Sequence, residues 1–309
     1  MRMEIKSLWS DKMGKAELAE RMRQVEAVAF DLDGTVLTSG KEIAARTLVA
    51  FGRALDAGVR PIPSSGRVLS ILPHSLFGIP GMHYAVCAAG TSVVELGSHR
   101  RNSVSLHESG MDAQKAARIV EMIQDRFGDD ISFDVTCGLY VFTTEHMIDI
   151  LSTFEDFPAS IEFIRSTREV VDDMVATTRA LTGPVSRINI YYRTPALRSE
   201  LMGWLRENVA CELGNSLGRN IEINELGASK WNGIKWLCAH IGASPERVLA
   251  IGDGGNDVDM IRHAWLGVAM KNADPCAIQA ADAITLATND EHGVAQVIEE
   301  IVALKRGLR

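Results

Sequence analysis

Asp31-Leu32-Asp33-Gly34-Thr35 sets two carboxylates two residues apart, directly after the apolar run Glu26 to Phe30. If that run is a strand of an open parallel sheet, the pair lies beyond its carboxyl end, where such sheets bind ligands. Two side chains at that spacing share a face and can aim at one spot. One could attack an electrophile or coordinate a metal while the other moves a proton. Gly34 would let the backbone turn closely. The same five residues also fit an acidic turn that caps a helix, and a motif this short has a high false-positive rate.

Three further groups stand at similar places. Ser64-Ser65-Gly66-Arg67 follows Val59 to Pro63. A hydroxyl and free N–H groups at a helix start make a phosphate site, although Ser-Ser-Gly is also an ordinary turn. Gly252-Asp253-Gly254-Gly255-Asn256-Asp257 follows the apolar Val248 to Ile251. Two acids and an amide among glycines suit a hard cation that prefers oxygen, and they equally suit a Gly-rich turn with a capping Asp. Their spacing is not that of a calcium loop. Lys230 opens an amphipathic helix and gains a role only if an anion has to be neutralised there.

The elements that must position these groups alternate at both ends of the chain. Glu42 to Leu55 reads as a helix with Leu48, Phe51 and Leu55 on one face. Val59 to Pro63 reads as a strand, a poor one because of Pro61 and Pro63. Lys230 to Ile241 is a helix, and Val248 to Ile251, Leu266 to Met270 and Ala283 to Leu286 are short buried strands. This rhythm predicts a parallel sheet with helices on both faces. The middle differs. A helix over Ala113 to Phe127, a hairpin over Ile131 to Thr143, a strand over Ser186 to Arg193, a helix over Ala196 to Asn208 and a strand over Asn220 to Asn224 predict an inserted antiparallel α+β unit. The expected division is an N-terminal extension over 1–24, a Rossmann-like core over 25–91 and 223–309, and the inserted domain over 92–222. Leu18, Met22 and Val25 form a short apolar face, so the extension is expected to be peripheral, with Met22 a candidate start and residues 1 to 21 dispensable.

Composition removes several function classes. With 309 residues, 46% hydrophobic and 23% charged, the chain has enough apolar residues for a core. The net charge of −8 and the lack of a long basic stretch argue against a nucleic-acid binder. No apolar run approaches the roughly 20 residues of a membrane span. Five scattered cysteines, Cys87, Cys137, Cys211, Cys238 and Cys276, form no Cys-x-x-Cys pair, which suits unremarkable thiols in a reducing cytoplasm. The sequence leaves monomer or homodimer open.

Taken in order, Asp31-x-Asp33, Ser65, Lys230, Asp253 and Asp257 resemble the four-motif set of the haloacid-dehalogenase-like hydrolase superfamily. Gly267 to Asn272 and Thr288 to Val294 resemble the closing motifs of its Cof-type branch, and the resemblance runs from about Val25 to the C-terminus. It implies an α/β core with a large α+β cap, and a Mg²⁺-dependent phosphatase for small phosphorylated metabolites, often sugar phosphates. It implies Asp31 as the nucleophile that becomes an aspartyl-phosphate, and Asp33 as acid and base. Ser65, Gly66, Lys230 and Asn256 would hold the phosphoryl oxygens. Asp31, Asp33 through its carbonyl, Asp253 and Asp257 would hold the metal, with Asp257 alternatively orienting Lys230. Ser65 stands where Thr is commoner. Cys87-Ala88-Ala89-Gly90 stands where Asn-Gly-Ala is usual, so an amide is missing at Ala89.

Rival readings stay open at this level. A phosphomutase of the same fold would need a second cationic site in the cap. Arg187, Asn189 and Arg193 at period two share one face of a strand, turned to solvent or to a cleft, and with Arg67 they are candidate specificity residues. A phospho-accepting signalling domain would need neither a cap nor Asp33. A dead binding protein would have lost an acid, and every expected acid is present.

Overall fold

Runs of Ala, Val, Leu and Ile that are too short for helices and too apolar for water become the strands of a six-stranded sheet. In spatial order these are Leu8–Trp9, Ala283–Thr285, Leu266–Ala269, Val248–Gly252, Ala27–Phe30 and Arg60–Pro63. The first pair is antiparallel and the other neighbours are parallel. Phe30 lies opposite Ile251, so the chains leading to Asp31 and Asp253 leave the sheet side by side. Alternate residues serve two faces. Phe30 stacks on Phe51 of helix Ala45–Asp56 at 5.0 Å, while Ala27 and Ala29 pack with Ile234 of helix Lys230–Ile241. The fold is an α/β core with helices on both faces of a largely parallel sheet.

The computed structural model describes residues 7–154, 160–214 and 219–307. They divide into two compact units. Unit 1 runs to Arg67, resumes over Leu72–Leu106 and again from Ser229, and unit 2 takes Val68–Ile71 and His107–Ala228. Ser92–Glu95, which sequence placed in the insertion, instead pairs antiparallel with Tyr84–Cys87 in unit 1. That hairpin is joined to the sheet through Ser65, whose N–H donates to the Val86 carbonyl at 2.9 Å.

Arg60–Pro63 occupies the sheet edge, and that place reconciles it with its prolines. The N–H groups of Arg60 and Ser64 donate to Glu26 and Phe30 carbonyls at 2.9 and 2.8 Å. Pro61 and Pro63 fall on the alternate positions, where an edge strand needs no donor.

The N-terminal segment corrects the expectation of a peripheral extension. Residues 1–6 lie outside the described residues. Beyond them, Leu8 and Trp9 pair with Thr285 and Ile284, and helix Lys15–Gln24 buries Leu18, Ala19 and Met22 beside helix Gly293–Lys305. Arg21 lies over the Trp265 ring at 5.1 Å from its centroid. A two-residue strand is too short to show any periodicity, which is why sequence missed it. Removing residues 1 to 21 is therefore expected to lower stability. Leu8 and Leu18 are 5% and 2% exposed, and burial of each side chain is worth about 1.5–3 kcal/mol. An unchanged melting temperature for the truncated protein would contradict this.

Unit 2 is built on the six-stranded order Glu212–Gly214, Asn220–Asn224, Val185–Tyr192, Ile131–Cys137, Tyr140–Thr143, Glu169–Val170. Period-two alternation gives its central strands an apolar face and a polar one. Ile188, Ile190, Tyr192, Phe133, Val135, Ile221 and Ile223 pack with helices Ala113–Phe127 and Leu197–Asn208.

Candidate active site

Asp31 follows a strand with no exposed residue, and its N–H donates to the Ile251 carbonyl at 2.9 Å. The side chain is 6% exposed as a residue and meets the Lys230 ammonium, which donates to Asp31 Oδ1 at 2.5 Å and to Asp257 Oδ1 at 2.6 Å. Lys230 starts a helix capped by the Ser229 hydroxyl and is buried. The other oxygen of Asp257 accepts the N–H groups of Asp253 and Gly254 at 3.0 and 2.9 Å. Asp257 thus aims Lys230 and fixes the turn that carries Asp253. Gly34 adopts a φ of +78°, and a Cβ there would meet Asp253 Oδ2 at 2.3 Å, so only glycine lets the two loops close. Thr35 donates its hydroxyl to Asp253 Oδ1 at 2.7 Å.

Burial pushes Asp31 up to about 7 against the pull of Lys230, with the neighbouring charge of Asp257 adding to the rise. Burial likewise pushes Asp253 up to about 6, offset in part by the Thr35 hydroxyl. Burial alone would lower Lys230, yet Asp257 and Asp31 overcome it and hold the ammonium charged. Asp31, Asp253 and Asp257 each offer an oxygen within 4.8 Å of the others. Three carboxylates against one ammonium leave two negative charges in excess, and an all-oxygen donor set with that excess fits a hard divalent cation such as Mg²⁺.

The folded values of about 7 and about 6 lie above the ordinary 3.8, so the metal-free folded state binds more protons than the unfolded chain in between. The contribution of these groups is fully present below the ordinary value and is lost as pH rises through the folded values. Urea unfolding in chelator should show this loss from about pH 4 to pH 7, and added Mg²⁺ should flatten it. A slope unaffected by the metal would remove Mg²⁺ from this site.

Asp33 is set differently. It is partly exposed; burial is the strongest single influence and pushes its carboxyl upward, but the hydrogen bonds and charges of Arg67 and Lys41 together outweigh it and hold the carboxyl at about 2. Arg67 grips both oxygens, Nε to Oδ2 at 2.7 Å and Nη2 to Oδ1 at 2.8 Å, and Lys41 Nζ reaches Oδ1 at 2.8 Å. Sequence reading missed Lys41 and the hydroxyl of Thr35, because only the folded loop returns them to the acids. Ser65 is buried and its hydroxyl accepts the Arg67 N–H at 3.2 Å. A Cβ on Gly66 would lie 3.6 Å from Asn256 Nδ2, which places those two together. Unit 1 thus gathers Asp31, Asp33, Ser65, Gly66, Arg67, Lys230, Asp253, Asn256 and Asp257. Cys87 is no rival nucleophile, since burial pushes its thiol up to about 12.

The segment without the usual amide has its own backbone cost. Ala88 and Ala89 have φ of +48° and +54°, a region that costs a non-glycine residue about 1–2 kcal/mol. They are held there because Ala88 and Ala89 N–H groups donate to the Arg67 and Ser65 carbonyls, while Gly90 packs so closely that a Cβ would lie 1.9 Å from the Ser229 carbonyl oxygen. Asn tolerates this conformation better than Ala. Ala89→Asn is expected to stabilise by about 0.5 kcal/mol or more, read as a raised melting temperature; a lowered one would show that the turn is not strained at residue 89.

In unit 2, Arg187 donates to Glu222 Oε1 at 2.8 Å and Asn189 accepts from Asn220 at 2.8 Å. Both lie on the polar sheet face. Arg193 does not join them. One residue past the strand, it donates to Thr153 Oγ1 at 2.9 Å and the Asp129 carbonyl at 2.7 Å, and it pairs with Asp130 at 3.5 Å.

With this geometry in hand, likeness to known proteins decides the family. The family described as haloacid dehalogenase-like hydrolase matches residues 28–298. The chain belongs to that family. The hydrolase is 27% identical over 282 residues to the Bacillus subtilis 5-amino-6-(5-phospho-D-ribitylamino)uracil phosphatase YcsE, covering 90% of this chain and 96% of that one. It is 28% identical over 279 residues to the Escherichia coli pyridoxal phosphate phosphatase YbhA, covering 88% and 96%. A haloacid dehalogenase-like hydrolase from Bacteroides thetaiotaomicron shares the fold with a TM-score of 0.67 at 27% identity, over 90% of this chain and 99% of that one. The hydrolase is a Cof-type phosphatase, a phosphoric monoester hydrolase. Among its described residues no helix is long and apolar enough to cross a membrane.

Proposed function

We propose that this hydrolase cleaves small phosphorylated metabolites, sugar phosphates among them, through a phosphoryl group carried on Asp31. The observation that carries the reading is the buried chain from Asp31 through Lys230 to Asp257, with Asp253 beside it at the ends of adjacent strands. An Asp31 oxygen attacks phosphorus and the bond to the leaving oxygen breaks. Asp33 gives that oxygen its proton. Water then attacks the phosphoryl group, loses a proton to Asp33, and leaves Asp31 as a free carboxylate with phosphate released. Arg67 and Lys41 keep Asp33 ionised at rest, so Asp33 first takes up the proton brought by the substrate monoanion and passes it to the leaving oxygen; the proton it later takes from water leaves with the released phosphate. Ser65, Gly66, Asn256 and the Lys230 ammonium hold the non-bridging oxygens. Asp31, Asp253, Asp257 and the Asp33 carbonyl would hold Mg²⁺, which when bound offsets the phosphoryl charge.

Unit 2 is the cap in this reading, and Arg187 and Asn189 on its polar sheet face are its candidate specificity residues. A mutase would need a second cationic site there, but Arg187 already faces Glu222 and Arg193 faces Asp130. The names of YcsE and YbhA each specify a small phosphorylated metabolite, in keeping with this substrate class. The test is phosphate release from a panel of phosphate esters with Mg²⁺ and with chelator. Release that depends on Mg²⁺ from at least one metabolite ester is expected. Undiminished release in excess chelator, or phosphoryl return to substrate in place of release, would overturn the reading.

A further inference from the structure

The loop that leaves the site after Asp33 is fastened from outside by side chains that take no part in the proposed chemistry. Asn272 Nδ2 donates to the Gly34 carbonyl at 2.8 Å, and Asn289 Nδ2 donates to the Leu37 carbonyl at 2.9 Å. The two amides are also joined, the Asn289 N–H donating to Asn272 Oδ1 at 3.1 Å. Next to them, Asp290 accepts the N–H and the hydroxyl of Ser39 at 2.7 and 2.6 Å. Asn272 follows strand Leu266–Ala269 and Asn289 follows strand Ala283–Thr285, so two adjacent strand ends grip one loop.

The grip answers a weakness that the site creates. Position 34 must be glycine, because a Cβ would strike Asp253. Glycine leaves the backbone free to turn immediately after Asp33. The orientation of the Gly34 carbonyl is the freedom at issue, and that carbonyl is the atom Asn272 takes. Asn289 repeats the hold three residues on, and the same loop brings Lys41 back to Asp33. Asn272 and Asp290 are exposed, where hydrogen bonds contribute little to global stability. Their use is local.

We infer that Asn272 and Asn289 are positioning residues for Asp33, fixing its backbone so that the carboxyl meets the leaving oxygen. This rests on the reading of Asp33 as the proton carrier. Misplacing a reacting group by about 1 Å can cost on the order of 100-fold, and here the larger loss should fall on steps that need Asp33's proton, while any shift of the Asp33 carbonyl at the metal would add a small cost common to all substrates.

The test measures kcat/KM, which reports events up to phosphoryl transfer, with Mg²⁺ present. The variants are Asn272→Ala, Asn289→Ala and Asn272→Asp. The last keeps the shape and the acceptor for Asn289 but loses the donor to Gly34, and it carries the test if an alanine variant fails to fold. Two esters are compared: an alkyl phosphate, whose leaving oxygen needs a proton, and p-nitrophenyl phosphate, whose leaving group does not. For the alkyl ester kcat/KM should fall roughly 10- to 100-fold, while for the aryl ester it stays within about threefold. Asp33→Asn, run alongside, should show the same selectivity, and adding Asn272→Ala to it should cost nothing more on the alkyl ester. Equal losses on both esters, no loss on either, or additive losses in the double variant would overturn the inference while leaving Asp33's role intact. An Asp33→Asn enzyme without leaving-group selectivity would instead sink the reading of Asp33, and the inference with it.

Discussion

Asp31→Asn is expected to lower turnover on the order of 10⁴-fold or more while the protein stays folded. The amide has the size of the carboxylate, so the strand end and the hydrogen bond from the Asp31 N–H to Ile251 survive. It cannot act as the nucleophile. Lys230 keeps Asp257 as a partner, so no buried charge is stranded. Burial already pushes Asp31 up to about 7, which means its charge opposes folding near neutral pH. Removing that charge should leave metal-free stability at pH 7 the same or higher. Phosphate release and a denaturant titration on one preparation check both halves. A folded variant with wild-type turnover would contradict the assignment, and a variant that unfolds would contradict the electrostatics.

Lys230→Met should damage both fold and activity. Lys230 has no side-chain exposure and touches two carboxylates. Methionine fills similar space without the charge, and it leaves Asp31 and Asp257 facing each other in a buried site. Breaking a buried pair in this way costs about 3–5 kcal/mol. Added Mg²⁺ should recover part of that loss, because the cation meets the same excess charge. Activity should fall on the order of 10²–10³-fold, the usual effect of losing one preorganised charge at a transferring group. Urea unfolding with chelator and then with Mg²⁺, followed by phosphate release, reads all three. A metal-free variant as stable as wild type would show that Lys230 does not hold the two acids together.

What the sequence could convey depended on how local each feature is. Asp31, Asp253 and Asp257 were legible because each follows a buried apolar run, and in a parallel sheet such runs end on one side. Helix Lys230–Ile241 was legible for the same kind of reason, its face being set by its own spacing. Helix Ala45–Asp56 shows the limit. Phe51 is buried as expected, but its companions are Thr47, Ala50 and Ala54, while Leu48 is 37% exposed. Small residues lie inward because the helix packs closely beside Gly293–Lys305, and hydrophobicity alone pointed to Leu48. The pairing of Leu8–Trp9, the edge position of Arg60–Pro63 and the diversion of Arg193 to Asp130 each depend on a distant partner. So does the state of Asp33. Its carboxylate is governed by Lys41 and Arg67, and neither cation announces in the sequence where it will reach.

In the proposed cycle Asp31 carries the phosphoryl group. Acid quenching during turnover of a metabolite ester, followed by borohydride reduction and peptide mass mapping, reads it directly. An aspartyl-phosphate is reduced to homoserine, so homoserine is expected at residue 31 and nowhere else, and it should be missing from Asp31→Asn. Turnover that proceeds with residue 31 unmodified, or with the adduct on another side chain, would contradict the claim.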